Sequence, residues 1–413
     1  MKSRQRRPSR MVFIIRRTVV GVVALFILVA GYSYIGALTA PGGASFGVTT
    51  VEWIRGHGGA SLVRFAENTW YSLNAPKVGG KPPKGAFKPK GRARLTTVAS
   101  PSLPHLPAPA PLKPLAYPAM AGEGKWTPEG LTVDGYPGLY VTLLRPDPIH
   151  TSLIAAVAWM DPHILSFRQF AGYQEPPGQL KWKYTSPLQG TELGNLVATF
   201  NSGFRMQDAQ GGYYAYGTTA VPLVNHAASF VIYKNGDVNV VSWGSGSNIP
   251  PNVAVVRQNL SLIVNNGKIN PQVYNTNYAV WGQTVANKVL VWRSGAGVTK
   301  NGAIVYVAGP GLSVGSLANL LVRAGAVRAM ELDINTDWVN FFYFNQSVGT
   351  PASPANGSQL LPGMLRPVSR YFSITDRDFV GAFARPAPLS FPSPPATVTS
   401  SSATVSSQAK RKG

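Results

Sequence analysis

The chain contains no cysteine in 413 residues. This absence excludes disulfides, thiolate metal sites and cysteine nucleophiles together. Acidic residues are also scarce, with 16 Asp and Glu against 38 Lys and Arg, for a formal net charge of +22. None of the five histidines stands in a metal-binding spacing such as H-x-x-x-H. The few acidic residues are therefore the first place to look for chemistry.

The positive charge is concentrated outside the central part of the chain. Residues 1–17 hold seven basic residues and no acidic one, and residues 76–117 hold eight and none. Residues 118–385 hold 18 basic and 14 acidic residues, which is close to balance. A nucleic-acid-binding domain would carry its basic excess on the folded part. We therefore expect no nucleic-acid partner.

A long uncharged segment lies near the N-terminus. Thr18 to Ala40 run 23 residues without a charge, enough to cross a hydrocarbon layer of about 30 Å. The basic residues 1–17 predict that the N-terminus stays in the cytoplasm and the remainder lies outside, as in a signal anchor. A cleaved signal peptide and a twin-arginine export signal at Arg16-Arg17 are the alternatives. Cleavage after Ala40 is disfavoured because Pro41 follows.

Composition divides the remainder into four parts. Residues 41–75 are predicted to form a juxtamembrane stalk with short interfacial helices. Residues 76–117 combine proline with basic residues and lack a hydrophobic period, which predicts an extended linker with few contacts. Residues 118–385 have the texture of a folded domain, and residues 386–413 that of a disordered Pro/Ser/Thr-rich tail.

The folded part reads as mainly antiparallel β-sheet. Runs rich in β-branched and aromatic residues alternate with glycine-containing turns, and Asn235-Gly236 and Asn301-Gly302 predict two hairpins. The segment "SVGSLANLLVRAGA" predicts one helix, capped by Ser313 or Ser316 and ended by Gly325. The pattern indicates an α+β fold with a mainly antiparallel or mixed sheet and a few helices.

Residues 329–338, "AMELDINTDW", concentrate scarce acidic residues in a strand-like stretch. If the strand alternation continues, Glu331, Asp333, Asn335 and Asp337 share one face. Neighbouring buried carboxylates oppose each other's ionisation, a cost that a fold accepts for a ligand, a metal or a reaction. The alternative is a structural ion pair at a strand end, with one of three arginines as partner: Arg205, Arg293 or Arg328.

The same stretch opens like a calcium loop. "DINTD" matches D-x-N-x-D, but Trp338 stands where an EF-hand requires glycine and Phe344 where it requires glutamate. The sequence therefore predicts no EF-hand and no required cofactor. A divalent cation held by these oxygens alone stays open.

Several motifs occur in a recognisable order. They are "ATFNSGF" at 198–204, "GGYYAYG", a hairpin ending in "WG", R-x-G-x-G from Arg293, "NG" at 301–302, "GLSVGSLANLLVRAGA" and "AMELD". This order resembles the phosphodiester glycosidase family over about 190–340, and over 118–385 by extension. Each motif alone has low specificity.

The resemblance implies specific roles. Asp333 falls on the family's aspartate, and with Glu331 beside it would act as base or nucleophile. Asn201 and Gly203 match the family's first turn, where they would contact the sugar. Arg293 matches the family's strand arginine.

Arg293 and Arg205 would then hold the phosphate by forked hydrogen bonds. Asn335 is a further candidate for substrate binding. Two departures stand at the last motif, where Glu331 replaces an asparagine and Ile334-Asn335 replace two glycines.

Taken with the N-terminal segment, the resemblance implies a membrane-anchored extracytoplasmic hydrolase acting on a phosphorylated glycan or glycoconjugate of the envelope. The loss of the two glycines favours an alternative from another class, a non-catalytic envelope protein that binds anionic glycan. A metal-dependent phosphoesterase is a third reading, but it would need more His or carboxylate ligands. The oligomeric state is not readable from these patterns.

Overall fold

The structure is a computed structural model, and it describes residues 10–40, 45–87, 103–178, 180–246, 248–274, 280–281, 290–347 and 349–385. The tail at 386–413 and the first nine residues lie outside this description, as does the middle of the predicted linker. The domain is built from antiparallel sheets with few helices, which confirms the predicted fold class.

The N-terminal segment forms three helices. Helix α1 spans Arg10–Thr39, α2 spans Phe46–Ile54 and α3 spans Ala60–Leu73. Within α1, Phe13–Thr39 is long and apolar enough to cross a membrane, and no part of its most apolar stretch is buried among the described residues. Between α2 and α3 the chain is kinked at His57 and Gly58, whose backbone angles are not helical.

The largest sheet has eight strands in the order β1-β2-β3-β14-β13-β15-β11-β12. Their bounds are β1 Thr127–Val133, β2 Tyr136–Leu144, β3 Ala155–Met160, β11 Leu262–Asn265, β12 Lys268–Ile269, β13 Val291–Thr299, β14 Ile304–Leu312 and β15 Ala326–Glu331. Helix α4, Val314–Arg323, follows β14 directly and precedes β15.

Helix α4 packs closely on this sheet because β13 is small where they meet. A Cβ added at Gly295 would lie 3.0 Å from Leu321 Cδ1 and 3.2 Å from Leu317 Cδ2. A larger residue would therefore push α4 away from the sheet. The second glycine of the R-x-G-x-G motif, Gly297, is similarly crowded by Ala326 and Ala329.

Two five-stranded sheets complete the domain, in the orders β17-β16-β5-β18-β4 and β7-β6-β10-β8-β9. The bounds of the first are β4 Leu165–Phe170, β5 Leu196–Asn201, β16 Phe341–Phe344, β17 Gly357–Gln359 and β18 Phe379–Ala384. Those of the second are β6 Tyr213–Ala215, β7 Thr218–Val221, β8 Ala228–Tyr233, β9 Val238–Ser242 and β10 Val253–Gln258.

The main core lies where the three sheets meet. Phe200 of β5 has its ring centroid 5.4 Å from that of Tyr306 in the large sheet and 6.1 Å from that of Phe230 in the third sheet. Phe341 of β16 stacks on the same phenylalanine at 5.7 Å. This aromatic centre joins the sheets and fixes the strand ends that carry the polar residues described below.

The predicted local elements are confirmed. The hairpin at Asn235-Gly236 joins β8 to β9, and the hairpin at Asn301-Gly302 joins β13 to β14. Helix α4 is capped at Ser313 with a reciprocal bond to Ser316, and Gly325 takes the left-handed conformation at φ +94°. These elements depend on neighbours in sequence, which is why their signals are readable there.

The expectation of few contacts in the linker is wrong for residues 103–117. The backbone N–H of Leu106 donates to Asp161 Oδ2 at 2.6 Å, and that of Leu103 donates to Asp134 Oδ2 at 3.1 Å. Arg145 donates to the carbonyl of Ala116 at 2.7 Å. Leucines in the segment also pack against the main core. The proline-rich chain is extended, but it lies along the domain because its leucines and backbone donors find partners there.

Candidate active site

Asp333 stands where β15 leaves the large sheet. The strand ends at Glu331, and the backbone of Asp333 is still tied to β13 by a bond from Ser294 N to its carbonyl at 2.8 Å. Its carboxylate Oδ1 accepts from the backbone N–H groups of Ile334 at 2.8 Å and Asn335 at 2.9 Å. The chain thus turns around this side chain, so the strand alternation stops at Glu331.

The carboxyl group of Asp333 is 3% exposed. Burial raises its pKa to about 7, against the lowering influence of Arg377 and the two backbone N–H groups, while Glu52 raises it further. A carboxyl group with this pKa exchanges a proton near neutral pH, which suits acid–base chemistry.

Glu331 has a different environment. Its Oε1 accepts from Arg293 Nη1 at 2.5 Å, and both side chains are almost fully buried. Arg293 also donates through Nε to the carbonyl of Leu312 at 2.8 Å. Burial raises the pKa of Glu331, and the guanidinium of Arg293 opposes that rise. The ion-pair alternative with Arg293 is therefore what the structure shows for Glu331.

The expectation that Glu331 and Asp333 form a strained pair of like charges is wrong. The charges that shift the pKa of Asp333 are those of Arg377 and Glu52, not that of Glu331. The carboxylate of Glu331 binds Arg293, whereas that of Asp333 binds the backbone of the turn that follows it.

Asn201, at the end of β5, lies in a buried network behind Asp333. Its Oδ1 accepts from the Tyr306 hydroxyl at 2.8 Å, and its Nδ2 donates to Ser294 Oγ at 3.1 Å. Ser294 Oγ in turn accepts from the backbone N–H of Asp333 at 3.1 Å. Asn201 is therefore placed to position the backbone of Asp333.

Gly203 and a second buried ion pair lie beside this network. A Cβ at Gly203 would approach Arg257 Cζ to 3.3 Å, so the glycine makes room for a guanidinium. Arg257 is fully buried and donates through Nε to Asp378 Oδ2 at 2.9 Å, and it also donates to the carbonyl of Phe204. The turn predicted to contact sugar is thus packed on Arg257.

Three arginines surround the indole of Trp338. The guanidinium carbons of Arg377, Arg370 and Arg366 lie 4.3, 4.9 and 5.1 Å from the ring centroid. Arg370 and Arg377 are 7% and 8% exposed, and burial lowers the pKa of both. Arg377 Nη1, Arg370 Nε and Trp338 Nε1 are buried and have no hydrogen-bond partner among the described residues. Unpaired buried donors are rare, and these three lie near a buried acceptor, Asp337 Oδ1, that also has no partner among the described residues.

A cavity of about 210 Å³ opens beside this cluster. The domain lines it with Gln174, Arg205, Trp338, Asp376 and Arg377, and the N-terminal segment lines it with Ala37, Leu38, Ala40, Val48, Thr49, Glu52 and Trp53. Arg205 donates through Nη1 to Glu52 Oε2 at 2.5 Å and through Nε to Asp208 Oδ2 at 3.0 Å. The carboxylate of Glu52, from α2, is therefore already paired with the guanidinium of Arg205.

The described part of the chain places no three His, Asp or Glu side chains close enough together to hold a metal ion. Asp337, the last acidic residue of the 329–338 stretch, lies 3.7 Å from Arg366 across an ion pair.

Residues 194–333 match the sequence model of the phosphodiester glycosidase family. The match ends at Asp333 and includes the two motif residues Asn201 and Arg293, which confirms the resemblance read from the motifs. No curated protein matches the chain.

Solved structures with a similar arrangement have low sequence identity. One is the catalytic domain of zebrafish N-acetylglucosamine-1-phosphodiester alpha-N-acetylglucosaminidase, auto-inhibited by its pro-peptide, with 15% identity, a TM-score of 0.39, and coverage of 60% of this chain and 84% of that one. A hypothetical protein from Synechocystis has 12% identity and a TM-score of 0.35, covering 62% and 64%. A putative exported protein from Burkholderia pseudomallei has 13% identity and a TM-score of 0.24, covering 58% and 75%.

The structure brings Arg205 and Arg377 to the cavity, and the charge of Arg377 acts on the buried Asp333, which is not itself in the cavity lining. Arg293 and Glu331 form a closed pair, and Asn201 and Gly203 lie in the buried networks described above. Sequence reasoning missed Trp338, Arg370 and Arg377. One signal was available, since "TDRD" at 375–378 places two of the scarce acidic residues around an arginine just before a strand. Both arginines lie beyond the residues that match the family.

Proposed function

We propose that the chain is a membrane-anchored hydrolase that acts outside the cytoplasm on a sugar joined through C1 to a phosphodiester. One observation carries the proposal. The buried carboxyl of Asp333, with its pKa near 7, lies within electrostatic reach of Arg377, a buried guanidinium with an unpaired nitrogen. A proton-exchanging acid next to an anion site is what this reaction requires.

Asp333 would act in its ionised form, either attacking C1 or taking a proton from the water that attacks C1. The bond between C1 and the phosphate oxygen breaks, and the phosphate leaves with the bonding electrons. A phosphate is already a good leaving group, so the reaction needs less general-acid help than hydrolysis of an ordinary glycoside. The turnover rate should therefore rise with pH as Asp333 ionises around pH 7.

The phosphate would bind at the Trp338 cluster. Arg377, Arg370 and Trp338 offer buried donors that find no hydrogen-bond partner in the described parts of the chain, and a phosphate oxygen accepts several such bonds at once. Arg205 would supply a further cation from the other side of the cavity. Arg293 is left out of this role because Glu331 holds it.

The remaining predicted residues would position the reacting group. Asn201 and Ser294 hold the backbone of Asp333, and the N–H of Asn335 fixes one oxygen of its carboxylate. The second oxygen is then the one that faces the substrate. Glu331, through Arg293 and the carbonyl of Leu312, ties β15 to the end of β14.

The proposed location is supported by α1 and by the basic residues up to Arg17. A span within Phe13–Thr39, with the basic residues up to Arg17 at its cytoplasmic end, would place the domain outside, next to envelope glycans and glycoconjugates. Protease treatment of intact cells is expected to remove residues 118–385. A domain that is protected until lysis would reverse the topology, and a soluble product beginning near Pro41 would show cleavage.

The proposal is tested by offering the detergent-solubilised full chain a panel of chromogenic sugar-1-phosphodiesters, with and without a chelator. We expect turnover of at least one member, and Asp333→Asn should reduce it by about 1000-fold. The matched control is Asp237→Asn on the β8–β9 hairpin, whose carboxylate is about half exposed, and it should retain turnover. Equal turnover by Asp333→Asn would overturn the assignment, and loss of turnover on chelation would favour the metal-dependent phosphoesterase.

A non-catalytic anionic-glycan-binding protein is the second candidate. It is favoured by Ile334 and Asn335 in place of the family's two glycines, since both of their N–H groups are taken by Asp333 rather than offered to a ligand. Binding of a sugar phosphodiester without release of free sugar, by a chain that folds normally, would decide for this candidate.

A further inference from the structure

The cavity beside Trp338 has two walls of different origin. Arg205, Asp376 and Arg377 of the domain form a charged wall, while Ala37, Leu38 and Ala40, at or just beyond the end of α1, form an apolar one. The apolar wall belongs to the segment long enough to cross a membrane. The cavity therefore lies beside the end of that segment.

Side-chain bonds fix the angle between α1 and α2. Trp53 Nε1 donates to Ser33 Oγ at 3.1 Å, and the hydroxyls of Tyr34 and Thr50 lie 2.7 Å apart. The ion pair between Glu52 and Arg205 then joins α2 to the domain. The cavity is thus held at the end of α1 by packing and bonding rather than by an unstructured tether.

Helices α2 and α3 expose apolar side chains right after the span. Phe46, Leu62, Phe65, Trp70 and Leu73 are each 65% exposed or more. Exposed aromatic and leucine side chains that follow a membrane span are typical of a segment lying in the headgroup layer. This places the cavity mouth at the depth of lipid headgroups.

The size of the cavity limits what enters it. Pockets that bury a whole ligand of ordinary size measure about 300–1,000 Å³, whereas this one measures about 210 Å³. It accepts the reacting end of a substrate and leaves the remainder outside. Because the cavity has an apolar wall as well as a charged one, the portion of the substrate outside the cavity can lie against apolar side chains.

We infer that the substrate is a membrane-resident sugar phosphodiester whose aglycone is a lipid. The inference rests on the proposed function and adds the class of aglycone. The phosphate binds between Arg205 and Arg377, displacing Glu52 from Arg205, and the hydrocarbon chain lies in the bilayer along Leu38. Hydrolysis at C1 releases the sugar into water and leaves the lipid phosphate in the membrane.

The test compares two substrates with the same sugar phosphodiester, one with a long-chain alkyl aglycone and one with a methyl aglycone. The full chain is reconstituted in phosphatidylcholine vesicles that also hold the lipid substrate. We expect kcat/KM for the long-chain substrate to be at least about tenfold higher, since each buried CH₂ favours transfer out of water. Leu38→Gln should reduce that ratio severalfold, chiefly through KM.

The control variant is Leu365→Gln, at a leucine 59% exposed on the domain and outside the cavity, which should leave the ratio unchanged. Equal kcat/KM for the two substrates would overturn the lipid inference and leave the proposed function standing. No turnover of either substrate, by a chain with the normal unfolding transition, would overturn both. A ratio that Leu38→Gln leaves unaltered would show that the lipid does not follow α1, which also overturns the inference.

Discussion

Glu331 and Asp333 are two positions apart in the sequence and both are buried, but their surroundings differ. Glu331 accepts a 2.5 Å bond from Arg293 on the sheet face. Asp333 lies in the turn, where its hydrogen bonds come from the backbone of its own loop and the influence of Arg377 does not offset burial. The charge of Glu331 is paired with Arg293, although its second oxygen has no partner among the described residues, whereas the carboxylate of Asp333 forms no ion pair there.

This difference separates structure from chemistry within one short stretch. Removing one partner of a buried ion pair lowers the stability of the folded protein, because the other charge is left buried and unpaired. A buried carboxyl without one is held at a cost to stability, which a functional role explains. The two residues should therefore respond to neutralisation with opposite signs, and the following changes test that contrast.

The largest effect is expected for Glu331→Gln. Removing this charge leaves Arg293 buried without a counter-charge, which should lower the free energy of unfolding by about 3–5 kcal/mol. Urea denaturation of the full chain measures it. The double change Glu331→Leu with Arg293→Met should recover most of the loss, and failure to recover would mean that the pair is not the cause.

Asp333→Asn should have the opposite sign. The folded state holds this proton more tightly than the unfolded one, with a pKa of about 7 against an ordinary value of 3.8. The contribution of Asp333 to stability is thus most favourable below pH 4, falls between pH 4 and 7, and stays low above pH 7.

The amide removes that fall, so Asp333→Asn should be more stable than the natural chain by up to about 4 kcal/mol at pH 8 and similar at pH 4. Denaturation curves at both pH values measure the difference. A strongly destabilised variant at pH 8 would mean that Asp333 anchors Arg377, and would end its assignment as the reacting group.

Arg377→Gln comes next. It removes the charge that lowers the pKa of Asp333, so that pKa should move above 7 and the rise of turnover should move to higher pH. Loss of a hydrogen-bond donor to the phosphate should also reduce turnover on the order of 100-fold. Arg323→Gln, at the exposed end of α4, is the control. An unshifted pH profile would show that Arg377 does not act on the titrating group.

The smallest effect is expected for Glu52→Gln. The charge of Glu52 raises the pKa of Asp333, Asp337 and Asp376. Neutralising it should shift the rise of turnover to lower pH by a fraction of a unit, and should lower KM because Arg205 is freed for phosphate. The pH profile of kcat/KM measures both, and a shift to higher pH would contradict the placement of α2.

The elements that could be predicted from the sequence are those that depend on near neighbours. Asn-Gly pairs predicted both hairpins, and Ser313 and Gly325 predicted the ends of α4. The packing of residues 103–117 was missed because proline content indicates only how stiff a segment is. It does not reveal that Asp134 and Asp161 accept hydrogen bonds from the backbone of this segment.

The candidate site could be predicted only where a motif marked it. Asp333 could be predicted from its motif. The alternation of side chains between the two faces of the strand was wrongly extended beyond Glu331, where β15 ends. Arg370, Arg377 and Trp338 come together through the docking of separate loops, for which no spacing rule exists. Pairings such as Arg257 with Asp378 join positions 121 residues apart.

That last pair sets an order of events in time. Arg257 belongs to β10 and is fully buried, and its counter-charge, Asp378, immediately precedes β18. Among the described strands β18 is the last to be synthesised, yet it inserts between β4 and β5 rather than at an edge. Burying Arg257 before Asp378 arrives would leave an uncompensated charge. We therefore expect this sheet to close only after Phe379–Ala384 has been synthesised, since β4 and β5 have no partner between them before then.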